Sequence, residues 1–202
     1  MNQITFFLWF NKLEKEYSDS STVIFDTFFF DKMKRKENEE YVNKLSQKLN
    51  GKDHAVVVKH YKNHYILYLL SFGNQIYNRN ATRQLLKNTS SIFIFDSLNG
   101  TDEIDKTDEK ILSNFIYKVK SFRGDEFQDN QLEIRNEILY TFQQPNYIDC
   151  GVYCLFYIEK ILKSNKLTYS KTQAIAGNSE VLFYRDKIEN GLNDILYELK
   201  NQ

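Results

Sequence analysis

The chain has 202 residues, of which 42% are hydrophobic and 15% aromatic, a composition typical of one large globular domain and not of a disordered protein. Its 27 basic and 27 acidic residues balance, so there is no basic excess of the kind that general nucleic-acid binding requires. No apolar run approaches the roughly 18 residues of a membrane-spanning helix, and the two cysteines form neither a disulfide framework nor a zinc motif. We therefore expect residues 1–202 to be a single intracellular domain, working in the cytoplasm or nucleus, or in a host cell if the protein is a secreted effector. We expect it to be a monomer that binds no nucleic acid, membrane, metal or cofactor.

The first quarter of the chain has mainly helical spacing. Apolar residues recur at helical intervals over residues 4–17, which predicts a largely buried helix. The Phe-rich stretch 23–33 is also predicted to be a helix, although residues 23–25 would fit a strand equally well. A charged helix is predicted over residues 37–49, and Asn50-Gly51 ends it.

The middle of the chain changes to strand patterns. Residues 55–58 form a short β-branched run, and residues 59–63 follow as a polar turn. Residues 64–72 are apolar enough for a strand buried on both faces. A long polar segment over 73–91 precedes a second buried strand over 92–95.

The last part of the chain alternates between helical and strand patterns. An amphipathic helix is predicted over 110–119 and a strand over 134–142. A very apolar helix is predicted over 150–162, and a final amphipathic helix over 181–199 is interrupted at Asn190-Gly191. Helices on both sides of a small group of strands indicate the α+β class, with a small mixed or antiparallel sheet flanked by helices.

A cysteine at the start of the apolar helix is the first candidate for chemistry. The only proline, Pro145, indicates a turn, Asp149 is expected to cap the helix, and Cys150 lies in its first turn. Unpaired N–H groups and the helix dipole favour a thiolate there. Taken alone, Cys150 fits a buried structural cysteine better than a reactive one, so the case for a nucleophile depends on the rest of the chain. Cys154, one turn further along, is predicted to be a core residue.

A nucleophilic cysteine needs a base and a group that orients the base. Of the three histidines, His64 opens one buried strand, and Asp96 ends the other. If these strands pair antiparallel, the two residues are neighbours at one end of the sheet. His54 and His60 lack such an acid and are predicted to be strand or turn residues with solvated rings.

Acyl transfer also needs donors for the developing oxyanion. The backbone N–H of Cys150 is one candidate, because it lies at the helix N-terminus. Gln144, on the other side of the Pro145 turn, could supply its side-chain amide as the second.

The segment Gln-Pro-Asn-Tyr-Ile-Asp-Cys-Gly at 144–151 carries a family resemblance. Together with the His-aromatic strand start and the Asp-Ser-Leu strand end, it resembles the ubiquitin-like-protein proteases, the deSUMOylating and deneddylating enzymes of the adenovirus-protease clan. The resemblance implies a papain-like core with the chain order His, Asp, Gln, Cys, matched by His64, Asp96, Gln144 and Cys150. It further implies a thiol isopeptidase or peptidase that cleaves after the C-terminal Gly-Gly of SUMO, NEDD8 or ubiquitin and acts on their conjugates, with SUMO the first expectation.

Three features depart from the family pattern. Tyr65 follows the histidine where the family usually has Trp, and we expect it to stack over the imidazole. The N-terminal Trp-Leu-Asn-Asp motif that covers the Gly-Gly tail is absent, and Trp9 lies inside the first helix, so it is not the equivalent. The long separation of His64 and Asp96 predicts an inserted loop over 73–91.

Three alternatives stay open on these residues. The chain could be an acetyltransferase of the same clan, a viral or bacterial maturation protease, or a non-catalytic module that binds a modifier. The intact set of four residues argues against the binding module, and the missing Trp argues for it.

Overall fold

The computed structural model describes residues 3–35, 38–72, 89–98, 104–125, 133–138, 144, 148–163 and 178–200. Within them the helices are α1 (Gln3–Glu16), α2 (Phe29–Met33), α3 (Glu39–Lys48), α4 (Lys106–Phe122), α5 (Cys150–Lys163) and α6 (Asn178–Lys200). The strands are β1 (Thr22–Phe25), β2 (His54–Tyr61), β3 (His64–Ser71), β4 (Thr89–Phe95) and β5 (Glu133–Ile138).

The described strands form one mixed sheet in the order β1-β2-β3-β4-β5. The outer pairs β1/β2 and β4/β5 are parallel, whereas β2/β3 and β3/β4 are antiparallel. A two-residue turn joins β2 to β3, and both of its residues, Lys62 and Asn63, have positive φ angles of 49° and 63°. That is the type I′ geometry whose twist suits a tight hairpin. The predicted α+β class, with a small mixed sheet flanked by helices, is confirmed.

Strands β1, β2 and β3 are buried over most of their length, which explains why they are rich in apolar residues, whereas the edge strand β5 exposes Glu133, Arg135 and Asn136. Side chains of β3 alternate between two cores: Leu67 and Leu69 pack with α1, α5 and α6, while Tyr68 and Leu70 pack with α2, α3 and α4. All four side chains are at most 2% exposed. The central hairpin is therefore a rigid base for the residues at its ends.

The final helix, α6, is continuous through Gly191, so the interruption predicted at Asn190-Gly191 is wrong. Gly191 is required by packing instead: a Cβ at this position would lie 2.6 Å from Cζ3 of Trp9. Trp9 itself is buried, and its indole Nε1 donates to the Tyr184 hydroxyl at 2.9 Å. The glycine allows α6 to approach α1 closely.

The helix predicted over residues 23–33 is also wrong as a single element. The chain forms β1 over Thr22–Phe25 and only then turns into the short helix α2. Val23 and Ile24 pair in parallel with Ala55 and Val56. Local sequence allows these β-branched residues to form a helix or a strand, and pairing with β2 selects the strand.

Several predicted boundaries shift. Strand β2 continues to Tyr61, so only Lys62 and Asn63 remain of the polar turn predicted over 59–63. Residues 89–91, at the end of the predicted insertion, belong to β4, and residues 73–88 lie outside the described part. The Pro145 turn also lies outside the described residues.

Candidate active site

Cys150 is the first residue of α5, as the sequence predicted. The carbonyl oxygen of Asp149 accepts the first bonds of the helix, from the N–H groups of Val152 at 2.8 Å and Tyr153 at 3.1 Å. The Cys150 side chain is buried where α5 packs on β3, and its Sγ lies 3.8 Å from the Asn63 carbonyl oxygen in the hairpin turn. The thiol is thus placed between a helix N-terminus and the end of the central hairpin.

His64 and Asp96 meet at the same end of the sheet. The antiparallel register that pairs Leu67 with Phe95 brings the start of β3 beside the end of β4, and His64 Nε2 lies 2.7 Å from Asp96 Oδ1. The same oxygen accepts the Leu98 N–H at 2.9 Å. Burial raises the pKa of Asp96, but these two hydrogen bonds outweigh it and hold the pKa below its usual value. The predicted closeness of this pair is confirmed.

The thiol and the imidazole bias each other towards a charged pair. Burial raises the pKa of Cys150, but His64 and the N–H groups of Tyr65 and Gly151 outweigh it, so the pKa lies below its ordinary value. Burial lowers the pKa of His64, yet Asp96 and Cys150 raise it to about 9. Because Nε2 is bound to Asp96, Nδ1 is the nitrogen left for the thiol. This environment favours the charged pair of thiolate and imidazolium over the neutral pair.

Gln144 is held by the residue that follows Asp96. Its backbone N–H donates to the Ser97 carbonyl at 2.8 Å, and the Ser97 hydroxyl donates to Gln144 Oε1 at 2.6 Å. Both side chains are buried. With Oε1 accepting from Ser97, the amide orientation is set and Nε2 is the donor end of the side chain. The end of β4 therefore positions both Asp96 and Gln144.

Cys154 is buried in the core next to the site, as predicted. Burial and, after it, the nearby Cys150 raise the pKa of its thiol well above the ordinary value. A thiol in this environment stays protonated and unreactive.

Tyr65 does not stack over the His64 imidazole, so that prediction is wrong. Successive side chains of a strand point to opposite faces, and the Tyr65 ring packs between Phe6 and His60, with ring centroids 4.4 Å apart in each case. His54 and His60 both lie in β2, as predicted, but the solvated ring predicted for His54 is wrong. His54 is buried, and His60 is half-buried with its Nδ1 3.1 Å from Gln3 Nε2.

Two contributors to the site were missed at the level of sequence. Ser97 lies in the Asp-Ser-Leu segment, which carried a signal for the strand end but none for a hydrogen bond to Gln144. Arg185, far along the chain in α6, lies with its Nη1 3.2 Å from Asp149 Oδ1. No local pattern around Arg185 indicates this contact.

The described residues carry neither a metal-binding cluster nor a membrane-spanning helix. They hold no cluster of three or more His, Cys, Asp or Glu side chains suited to a metal ion. They also include no helix that is long and apolar enough to cross a membrane.

A thiol at a helix N-terminus, beside an imidazole held by a carboxylate, on an α+β fold, defines the chain as a cysteine protease. The family model of the Ulp1 protease family, C-terminal catalytic domain, matches residues 1–196. The chain belongs to this family. No curated protein matches it.

Solved structures with low sequence identity share the fold. A de-sumoylating protease is 18% identical, with 100% of this chain and 84% of that chain covered and a TM-score of 0.64. The SUMO protease Ulp1 with its catalytic cysteine oxidised to a sulfinic acid is 18% identical, with 97% and 78% covered and a TM-score of 0.57. The C-terminal Ulp1 protease domain in complex with Smt3, the yeast ortholog of SUMO, is also 18% identical, with 87% and 71% covered and a TM-score of 0.53.

Proposed function

We propose that this protease is a thiol isopeptidase or peptidase that cleaves after the C-terminal Gly-Gly of a ubiquitin-like modifier, with SUMO as the first candidate and ubiquitin or NEDD8 next. The observation that carries the proposal is the Cys150 thiol at the start of α5, beside an imidazole that Asp96 holds at 2.7 Å. Family membership and the SUMO-related names of the structural relatives support the choice of modifier.

In the proposed mechanism, the Cys150 thiolate attacks the carbonyl carbon of the terminal glycine. The carbonyl π electrons move to oxygen, and the Cys150 N–H and the Gln144 amide stabilise that oxyanion. The His64 imidazolium then protonates the leaving lysine amine as the C–N bond breaks, which leaves a thioester. His64 next takes a proton from water, the hydroxide attacks the thioester, and the modifier leaves with a free carboxylate.

Asp96 and Ser97 act on these groups without touching the substrate. Asp96 keeps the imidazole oriented with Nδ1 towards the thiol and stabilises the imidazolium. Ser97 engages the amide oxygen of Gln144, so the amide nitrogen points away from it as a donor. Both lie at the end of β4, where the buried sheet holds them in place.

The test is a panel of SUMO, NEDD8 and ubiquitin probes that carry a C-terminal propargylamide, which traps a nucleophilic thiol. We expect the SUMO probe to label the wild-type protein on one cysteine, identified as Cys150 by peptide mapping. Cys150→Ala should abolish labelling while leaving modifier binding. Cys154→Ala is the matched control, because it removes the buried neighbour and should leave labelling intact.

The outcomes of the panel separate the alternatives. Labelling of Cys150→Ala, or of Cys154 in place of Cys150, would refute the mechanism. Modifier binding without labelling would favour the binding module. Neither binding nor labelling would leave the maturation protease or the acetyltransferase, and a calorimetric titration with acetyl-CoA distinguishes these two.

A further inference from the structure

A buried carboxylate directly precedes the candidate nucleophile. The Asp149 side chain is only 6% exposed, and a carboxylate at such a depth needs a compensating charge or hydrogen bonds. Arg185 provides a cation there: its Nη1 lies 3.2 Å from Oδ1 and 3.5 Å from Oδ2 of Asp149. This ion pair joins the loop before α5 to the final helix, α6.

The position of Arg185 is itself well determined. The preceding residue, Tyr184, is buried, accepts from the Trp9 indole at 2.9 Å and donates to the Leu155 carbonyl of α5 at 3.3 Å. On the opposite side, Arg185 Nε lies 3.1 Å from Glu189 Oε1, one turn along α6. The contacts of Tyr184 dock α6 against α5 and bring the guanidinium to Asp149, whereas Glu189 is largely exposed and shares only the outer side of Arg185.

Asp149 in turn determines where α5 begins, because its carbonyl oxygen accepts the first hydrogen bonds of the helix. We propose that Arg185 is a positioning residue for Cys150: it holds Asp149 in place and offsets the negative charge beside the thiolate. The inference rests on the role of Cys150 in the proposed function.

The charges around the thiol make the effect of Arg185 predictable in sign. The imidazolium of His64, at the start of β3, is the cation that favours the thiolate. Other titratable groups near the thiol are the carboxylate of Asp96, the phenol of Tyr65 and the thiol of Cys154, and none of them carries a positive charge. Asp149 adds a negative charge from the chain itself, and Arg185 faces it. Removing the guanidinium therefore makes the surroundings of the thiol more negative and disfavours its ionisation.

The test is the variant Arg185→Gln, with iodoacetamide alkylation of Cys150 followed by mass spectrometry from pH 5 to 10. We expect the midpoint of the alkylation profile to rise by about 0.5 to 1 pH unit, with kcat/KM on a fluorogenic SUMO substrate at pH 7 falling about 5- to 10-fold. Arg185→Lys keeps a cation and should stay close to wild type. Asp149→Asn should lower the midpoint, and the double variant D149N/R185Q should return it towards the wild-type value.

Glu189→Gln is the control, since it removes the exposed partner of Arg185 and should leave the midpoint unchanged. A folded Arg185→Gln protein with the wild-type midpoint would overturn the proposal, because a purely structural ion pair predicts that result. If Arg185→Gln does not fold, Asp149→Asn decides, and an unchanged or raised midpoint overturns the proposal. Alkylation needs no modifier, so a failure of the SUMO probe would refute the proposed substrate and leave this result standing.

Discussion

Replacing Asp96 by Asn tests how much the carboxylate contributes to the charged pair. Against its ordinary value of 6.5, the His64 pKa of about 9 corresponds to about 3 kcal/mol in favour of the imidazolium. Part of this free energy comes from Cys150, and solvent screens the partly exposed ring. The contribution of Asp96 is therefore about 1–2 kcal/mol. That amounts to about 5- to 30-fold in rate, and lost orientation of the ring raises the expected loss to about 10- to 100-fold.

The pH profile of kcat/KM separates the charge effect from a general loss of stability. Activity needs a thiolate and an imidazolium, so the wild-type profile should rise as Cys150 ionises and fall as His64 loses its proton near pH 9. In Asp96→Asn the imidazolium loses its anionic partner, so the alkaline limb should move down by about 1 pH unit. A less stable imidazolium also stabilises the thiolate less, so the acid limb should move to higher pH. The pH range of activity should therefore become narrower.

Asp108→Asn is the matched control. Asp108 is also an ion-paired aspartate and is more deeply buried than Asp96, with Lys59 and the Tyr68 hydroxyl as partners. It lies at the start of α4 and contacts neither Cys150 nor His64. It should lower the melting temperature and leave the alkaline limb in place. The reasoning is refuted if Asp96→Asn keeps the wild-type alkaline limb with kcat/KM within about threefold, since the carboxylate would then stabilise no imidazolium.

Three further predictions follow from contacts elsewhere in the structure. Gly191→Ala places a Cβ 2.6 Å from Trp9, so overpacking should cost about 1–3 kcal/mol of unfolding free energy, measured by urea denaturation. Gln144→Ala should lower kcat about 10- to 100-fold with little change in KM, and Ser97→Ala, which only loosens the amide, should lower it less. Burial opposes ionisation of Glu159, but two lysines and a tyrosine lower its pKa to about 2, so its contribution to stability is complete above pH 4.5 and is lost as the pH falls towards 2. In thermal melts between pH 2 and 4.5, the melting temperature of Glu159→Gln should depend less on pH than that of the wild-type protein.

Each of these predictions has a result that contradicts it. A Gly191→Ala protein as stable as wild type would mean that Trp9 moves aside without cost. A larger loss for Ser97→Ala than for Gln144→Ala would mean that the hydroxyl, and not the amide, serves the oxyanion. If the melting temperature of Glu159→Gln falls with acid as steeply as that of wild type, the ionised Glu159 carboxylate does not stabilise the packing of α5 against α6.

Local sequence was a good guide wherever one element determines the outcome. The apolar periodicity of α1 and the Cys150 start of α5 followed from spacing and turn residues alone. His64 and Asp96 were inferred as a pair because both lie at strand ends, and antiparallel pairing leaves little freedom there. The core role of Cys154 followed from its position one helical turn beyond Cys150.

Local sequence failed where a neighbour in space decides. Residues 23–25 suit a helix or a strand, and the parallel partner in β2 selects the strand. Gly191 looks like a helix breaker by composition, but the approach of Trp9 accounts for it. Tyr65 was expected over the imidazole, yet the pleat of β3 directs it towards Phe6 and His60.

Short-range patterns were enough to infer the α+β class, the family resemblance and the candidate residues His64, Asp96, Gln144 and Cys150, because these residues stand at predicted strand ends, beside the proline and at a helix start. Their surroundings depend on the folded chain: the hydrogen bond from Ser97 to Gln144, and the docking of α6 that brings Arg185 to Asp149. Such contacts join residues far apart in the chain, and they form only when the two cores pack on either face of the sheet. No local pattern records them, because packing and not propensity brings the partners together.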